Sequence, residues 1–132
     1  MILSFGTNDI KYETRGIQKY REPVTNLIKK TKFYFPDAII LVQCVLPMKN
    51  LYWYTAKNFN GFNHMLRGIC FNYNCIFIDC FEDFLSKNRS NYNIELFYDH
   101  LHLNLWGNII LRKWLTKICN SSSFDRVVNS WF

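Results

Sequence analysis

The apolar patterning of this 132-residue chain predicts an α/β fold, a parallel sheet layered between helices. Three observations carry that expectation. Short apolar runs alternate with stretches of helical periodicity in the order strand, helix, strand, helix, strand, helix. The runs at 38–46 and 75–78 are almost continuously apolar, as strands covered on both faces are. Each run stops at a breaker or a polar residue (Gly6, Pro47, Asp79), where the chain would leave the carboxyl end of a strand. Parallel neighbours are joined by right-handed crossovers, so the loops that follow the strands gather at one end of the sheet.

Ile2-Leu3-Ser4-Phe5 is the first strand, ended by Gly6, with Gly6-Thr7-Asn8-Asp9 as the loop it delivers. From 17 to 35 the apolar residues Ile17, Tyr20, Val24, Leu27, Ile28 and Phe33 recur at helical spacing. Pro23 either kinks that helix or opens a new one, and Phe35-Pro36-Asp37 breaks it. The second strand, 38–46, follows. A helix over 58–70 presents Phe59, Phe62, Met65, Leu66 and Ile69 on one side, and 75–78 is the third strand. A helical turn is expected at 81–85 and a polar loop at 87–93. A last helix spans 105–119, capped by Asn104. The tail, 120–132, is weakly patterned, although Trp131-Phe132 suits docking.

Composition sets outer bounds. One domain fits the length, and 49% hydrophobic with 18% aromatic residues excludes a disordered chain. No apolar run approaches the length of a membrane span. The first residues lack the basic start and long apolar run of a secretion signal, so a cytoplasmic protein is expected unless sequence preceding Met1 is missing. The net charge is +6, with Lys11, Arg15, Lys19, Arg21, Lys29, Lys30 and Lys32 in the first quarter. That cluster is a solvated helix face or a surface for nucleic acid or anionic lipid. Five cysteines, an odd number, argue for reduced thiols. Cys70, Cys75 and Cys80 are not spaced as zinc ligands, and Cys44 and Cys75 sit inside strand runs as small hydrophobes. Asn88-Arg89-Ser90 and Asn120-Ser121-Ser122 match the glycosylation acceptor pattern, a short match that arises by chance.

The chemistry-bearing stretch is Asp99-His100-Leu101-His102-Leu103-Asn104-Leu105-Trp106-Gly107. An Asp three residues before a His can hold the imidazole by one ring nitrogen and leave the other free, as a general base requires. An isolated D-x-x-H is more often a turn Asp beside a surface His. Here Gly107, the following helix and the upstream Gly6–Asp9 block favour the functional reading. Asp9 suits a role tying down its own loop, and His64 and His100 suit surface or packing roles. No serine stands in a convincing nucleophile position. Ser4 lies on the first strand, facing a packed helix, and Ser86 and Ser90 lie in a polar loop.

Gly6-Thr7-Asn8-Asp9 resembles the G-x-N-D block of the SGNH (GDSL-type) hydrolases, and Asp99, His102 and Gly107 resemble their D-x-x-H-x-x-x-x-G block. The resemblance covers residues 1–119 and implies a flavodoxin-like, three-layer parallel sheet ordered 2-1-3-4-5. It implies Asn8 as an oxyanion-hole donor, His102 as general base and Asp99 as its orienting acid, buried beside it, with no metal or cofactor. It also implies acyl-ester hydrolysis, on an acetylated sugar, a lipid or a small ester, with specificity in variable loops such as 48–58. The family's two earlier blocks, the G-D-S-type turn with the nucleophile serine and the glycine of the oxyanion hole, have no counterpart here. The three strands then correspond to the family's third, fourth and fifth. The expectation is the C-terminal part of a longer hydrolase, or a reading begun at an internal Met; a short protein that pairs its edge with itself or a partner is the next reading. Without the first two strands, the first strand is an open edge that invites another chain, and helix faces stay exposed. The alternative function is a non-catalytic interaction module that binds a protein or nucleic acid through that edge or the basic face.

Overall fold

The computed structural model describes residues 1–10, 16–48, 53–89, 92–99 and 101–121, with the side chains of 8, 9 and 53–57 outside that description. Three short strands, β1 (Ile2–Leu3), β2 (Leu41–Gln43) and β3 (Ile76–Ile78), form one parallel sheet in the order β1-β2-β3. Ile2 stands beside Leu41, and Leu41 beside Ile76. The ladder runs past these bounds. The Leu41 amide donates to the Met1 carbonyl at 2.8 Å, the Ile76 amide to Ile40 at 2.9 Å and the Cys44 amide to Ile78 at 3.0 Å. Leu41 and Val42 point to opposite faces of β2, and both are buried, so the sheet is covered on both sides at its centre.

The predicted loop after β1 is instead a single helical turn, α1 (Thr7–Ile10), whose Ile10 amide donates to the Gly6 carbonyl at 3.0 Å. Gly6 turns the chain with φ +100°, and a Cβ there would stand 2.7 Å from the Phe62 ring. Both facts demand glycine. The helix expected over 17–35 is two pieces, a 3-10 turn at Ile17–Tyr20 and α2 (Arg21–Tyr34). Pro23 sits in the first turn of α2, two residues past its start at Arg21, where its missing N–H has no intrahelical acceptor to lose.

Helix α3 (Trp53–Asn72) begins upstream of the predicted start at Asn58. Trp53, Tyr54 and Thr55 have modest helix propensity, so their own preferences do not announce the start. Its predicted apolar side is buried: Phe59, Phe62, Met65, Leu66 and Ile69 join Ile10, Ile28, Val42 and Ile78 in one core. Helix α4 (Leu105–Cys119) has the predicted bounds, and Phe81–Phe84 is a 3-10 turn. Loop 87–93 is pinched at its base by an antiparallel bridge between Leu85 and Tyr92.

Cys44, Cys70, Cys75 and Cys80 are buried free thiols, and Cys119 is exposed. The sulfurs of Cys44 and Cys80 are 3.6 Å apart. Burial, then the neighbouring Cys75, pushes the Cys70 thiol up to about 12, so it stays protonated. Among the described residues no strand pairs with the outer side of β1, where Ile2 is 51% exposed. Ser4, expected to face a packed helix, is exposed, because the strand ends at Leu3. The tail residues 122–132, with Trp131 and Phe132, lie outside the described residues, as do Lys11, Arg15, Ser90 and His100. No described helix is long and apolar enough to cross a membrane.

Candidate active site

The loop that carries Asp99 and His102 is closed from both sides before any catalytic group is considered. Asn93 accepts a hydrogen bond from the Glu95 amide at 3.1 Å and so starts the 3-10 turn Ile94–Leu96. Phe97 follows, held edge-on by the rings of Tyr92 and Phe84 at 5.1 and 6.0 Å between centroids. Phe97 bridges antiparallel to Leu103, and the Tyr98 amide donates to the His102 carbonyl at 2.8 Å. Residues 97–99 and 101–103 are therefore the two arms of a tight hairpin anchored in the aromatic core.

At its tip one carboxylate does two jobs. Oδ1 of Asp99 accepts from the amides of Leu101 and His102, both at 2.7 Å, while Oδ2 faces Nδ1 of His102 at 2.7 Å. Asp99 is thus both the turn residue and the imidazole's partner. A carboxylate acceptor places the proton on Nδ1 and leaves Nε2 with its lone pair. Among the described residues nothing hydrogen-bonds Nε2. The hydrogen bond from His102, then the backbone amides of His102 and Leu101, hold the Asp99 carboxyl well below the usual carboxylate range. The expected burial of Asp99 is not met: its side chain is 37% exposed and that of His102 73%. The hairpin tip projects beyond the core that anchors its base.

The hairpin is joined to α4 by Asn104. Its Oδ1 accepts from the amides of Trp106 at 2.9 Å and Gly107 at 3.1 Å, which makes it the predicted cap. Its Nδ2 donates back to the Glu95 carbonyl at 2.8 Å, so the same side chain ties helix, hairpin and 3-10 turn together. Gly107 is buried against the hairpin: a Cβ there would lie 2.3 Å from the Leu96 carbonyl oxygen. The glycine five residues after His102 thus has a packing reason, independent of its backbone angles.

Asn8 falls on the one-turn helix beyond β1, at the carboxyl end of its strand, with its side chain and that of Asp9 outside the described atoms. His64 is exposed, in line with a surface role. Ser86 donates to Asn88 at 2.7 Å within its own loop. Sequence reasoning missed Asn63, a buried amide that accepts from the Val45 amide at 2.7 Å and donates to the Val45 carbonyl at 3.0 Å. It pins the chain leaving β2. The available signal was a polar residue flanked by Phe59, Phe62 and Leu66 on the apolar side of α3. Among the described residues no group of His, Cys, Asp or Glu is arranged to hold a metal.

The sequence profile of the GDSL-like lipase/acylhydrolase family matches residues 1–108, from β1 through the Asp99–His102 hairpin to the cap of α4. The chain belongs to this family. No curated protein sequence matches it. Among solved structures, a family member from Bacteroides thetaiotaomicron, described as a GDSL-like lipase, superposes with a TM-score of 0.71 at 14% identity, over 88% of this chain and 59% of its own. A variant of Axe2, an acetyl-xylooligosaccharide esterase of Geobacillus stearothermophilus, gives 0.71 at 17% identity, over 92% of this chain and 59% of its own. A Streptococcus pneumonia protein provisionally named a platelet activating factor gives 0.74 at 20% identity, over 88% and 57%. The family fold is therefore shared, and the chain spans 57–61% of the length of the solved relatives it matches.

Proposed function

We propose that this chain carries the acid–base part of an SGNH-type acyl-ester hydrolase site. His102 acts as general base through Nε2, Asp99 orients it and stabilises the imidazolium, and Asn8 donates to the oxyanion. The three strands are the last three of a flavodoxin-like sheet, and the nucleophile serine and its strand are not in these 132 residues. The observation that carries this reading is the Asp99–His102 clamp, which fixes the tautomer and leaves Nε2 unengaged. It has support from Axe2, whose catalytic variants change an aspartate, a histidine three residues after it and a serine near the start of that protein. Hydrolysis by this chain alone then falls to His102 activating water directly. With the oxyanion hole incomplete, a loss on the order of a hundred- to a thousand-fold per missing donor leaves trace activity.

The test is hydrolysis of 4-nitrophenyl acetate by the wild-type chain and by His102→Ala, with a fluorophosphonate probe read by intact mass. Slow turnover that depends on His102, without a probe adduct, is expected. Turnover unchanged in His102→Ala overturns the base assignment. A stoichiometric adduct on a serine of this chain overturns the missing nucleophile.

A second reading is favoured by one observation, the outer side of β1, where Ile2 is exposed and no strand pairs among the described residues. On that reading the chain is an interaction module whose edge takes a strand from a second chain. Sedimentation equilibrium decides it: self-association that a Leu3→Pro substitution abolishes supports the edge, and a clean monomer removes it.

A further inference from the structure

Helices α2 and α3 both run back to the end of the sheet where the strands begin, since Tyr34 leads into β2 and Asn72 into β3. Their last turns expose unusual apolar bulk. Phe33 is 78% exposed, Tyr34 70%, Phe35 53% and Phe71 72%. Isolated exposed apolar residues are ordinary, but four large aromatics at one pole are not. The two helix ends adjoin: Nζ of Lys29, on α2, lies 5.6 Å from the centre of the Tyr73 ring, just past α3. Lys29 and Lys30 are exposed beside the aromatics, and neither pairs with a carboxylate among the described residues. The neighbouring acid is Asp37, beyond Phe35-Pro36.

We propose that this pole is a docking surface for an anionic lipid bilayer. Protruding aromatics flanked by lysines that have no carboxylate partner among the described residues are the two components of peripheral membrane attachment. Apolar side chains enter the boundary between headgroups and acyl chains, while cations meet the negative leaflet. The net charge of +6 adds long-range attraction to such a surface. No described helix is long and apolar enough to cross a bilayer, and the proposed contact is with the bilayer surface. The same lysines would attract a nucleic acid, but the aromatics do not suit one. The Phe33 and Tyr34 rings meet edge-on at 81°, a wedge instead of the flat platform on which bases stack. A strand added beside β1 would extend the sheet sideways, whereas these residues stand at the ends of α2 and α3, where the chain turns into β2 and β3.

The test is co-sedimentation of the full chain with vesicles of phosphatidylcholine alone and with about 30% phosphatidylserine, at low and high salt. Binding to the anionic vesicles, lost at high salt and absent with phosphatidylcholine alone, is expected. Two double variants probe the two components separately: Phe33→Ser with Tyr34→Ser, and Lys29→Glu with Lys30→Glu. Each is expected to lower the vesicle partition coefficient by at least about tenfold. The altered side chains are exposed, so circular dichroism and melting should stay at wild type. Phe71→Ser, on the other helix, gives an independent check with the same expected direction. Equal binding to neutral and anionic vesicles, no binding to either, or unchanged binding in both double variants overturns the proposal. Tight binding of a single-stranded RNA oligonucleotide that these variants abolish, with no vesicle binding, overturns it in favour of nucleic acid.

Discussion

A methyl group on Gly107 would sit 2.3 Å from the Leu96 carbonyl oxygen, 2.9 Å from Cδ2 of Leu103 and 3.2 Å from its Cβ. The leucine side chain can yield; the carbonyl cannot do so cheaply, because it accepts the Asn104 amide at 3.1 Å and so helps to hold the hairpin on α4. Moving it far enough to clear the methyl also disturbs Asn104, whose side chain caps the helix and grips Glu95. Forcing a methyl into a packed site typically costs about 1–3 kcal/mol. Alanine's helical advantage over glycine, up to about 1 kcal/mol in a helix interior, offsets part of that. Gly107→Ala should therefore destabilise by about 1–2 kcal/mol net. Gly68→Ala is the matched control. It lies on the exposed side of α3 with nothing within 4 Å of the added carbon, so only propensity acts. A gain of about 0.5–1 kcal/mol is expected there. Urea denaturation followed by circular dichroism measures both. If Gly107→Ala proves as stable as Gly68→Ala, the argument that backbone contact demands this glycine is wrong.

Asp99 has a depressed folded-state pKa, so its contribution to stability is fully present above the unfolded value and is lost as pH falls through the folded one. The Asp99 carboxyl carbon, followed by NMR from pH 7 downward, should titrate with a midpoint below the ordinary 3.8; a midpoint at or above 3.8 means that the clamp does not form in solution. Asn63→Ala removes both bonds to Val45 and leaves a buried amide and carbonyl without partners. A loss of about 2–4 kcal/mol is expected in thermal or urea unfolding, and a change under about 0.5 kcal/mol would mean that water replaces the side chain. Thiol titration with Ellman's reagent should modify Cys119 quickly in the native protein and the four buried cysteines only after unfolding; a second fast thiol would contradict their burial.

The long, strongly patterned elements were legible from the sequence, and the residues show why. Helix α4 carries its own start signal in Asn104, and its predicted bounds hold. The apolar face of α3 was readable from Phe59 to Ile69, whereas its start was not, because Trp53 to Thr55 carry only modest helix propensity. Pro23 left two readings open, and only its place in the first turn of α2 chooses between them. The turn at Thr7–Ile10 was missed because four residues are too few for periodicity to register. Within the site, the spacing of Asp99 and His102 announced their contact, whereas the close approach at Gly107 depends on the Leu96 carbonyl and is not in the spacing. The double attachment of Asn104 and the anchor at Asn63 depend on backbone atoms far away in sequence, which no local pattern contains.

The exposure of the Asp99–His102 pair bears on how its order arises. A histidine held open to water to this extent would ordinarily sample several rotamers, and a bond between exposed charged groups is worth little in isolation. Here the orientation does not rest on that bond alone. Asp99 is fixed first, by two amides of its own turn; the turn is fixed by the Phe97–Leu103 bridge; the bridge is fixed by the rings below it and by Asn104 and Gly107 beside it. Every one of these contacts lies within residues 84–107. The imidazole is therefore oriented before any neighbour arrives to cover it, and the Asn8 strand end need not touch it to keep it so. A histidine held this way keeps its geometry whatever comes to stand beside it, because the contacts that orient it are local.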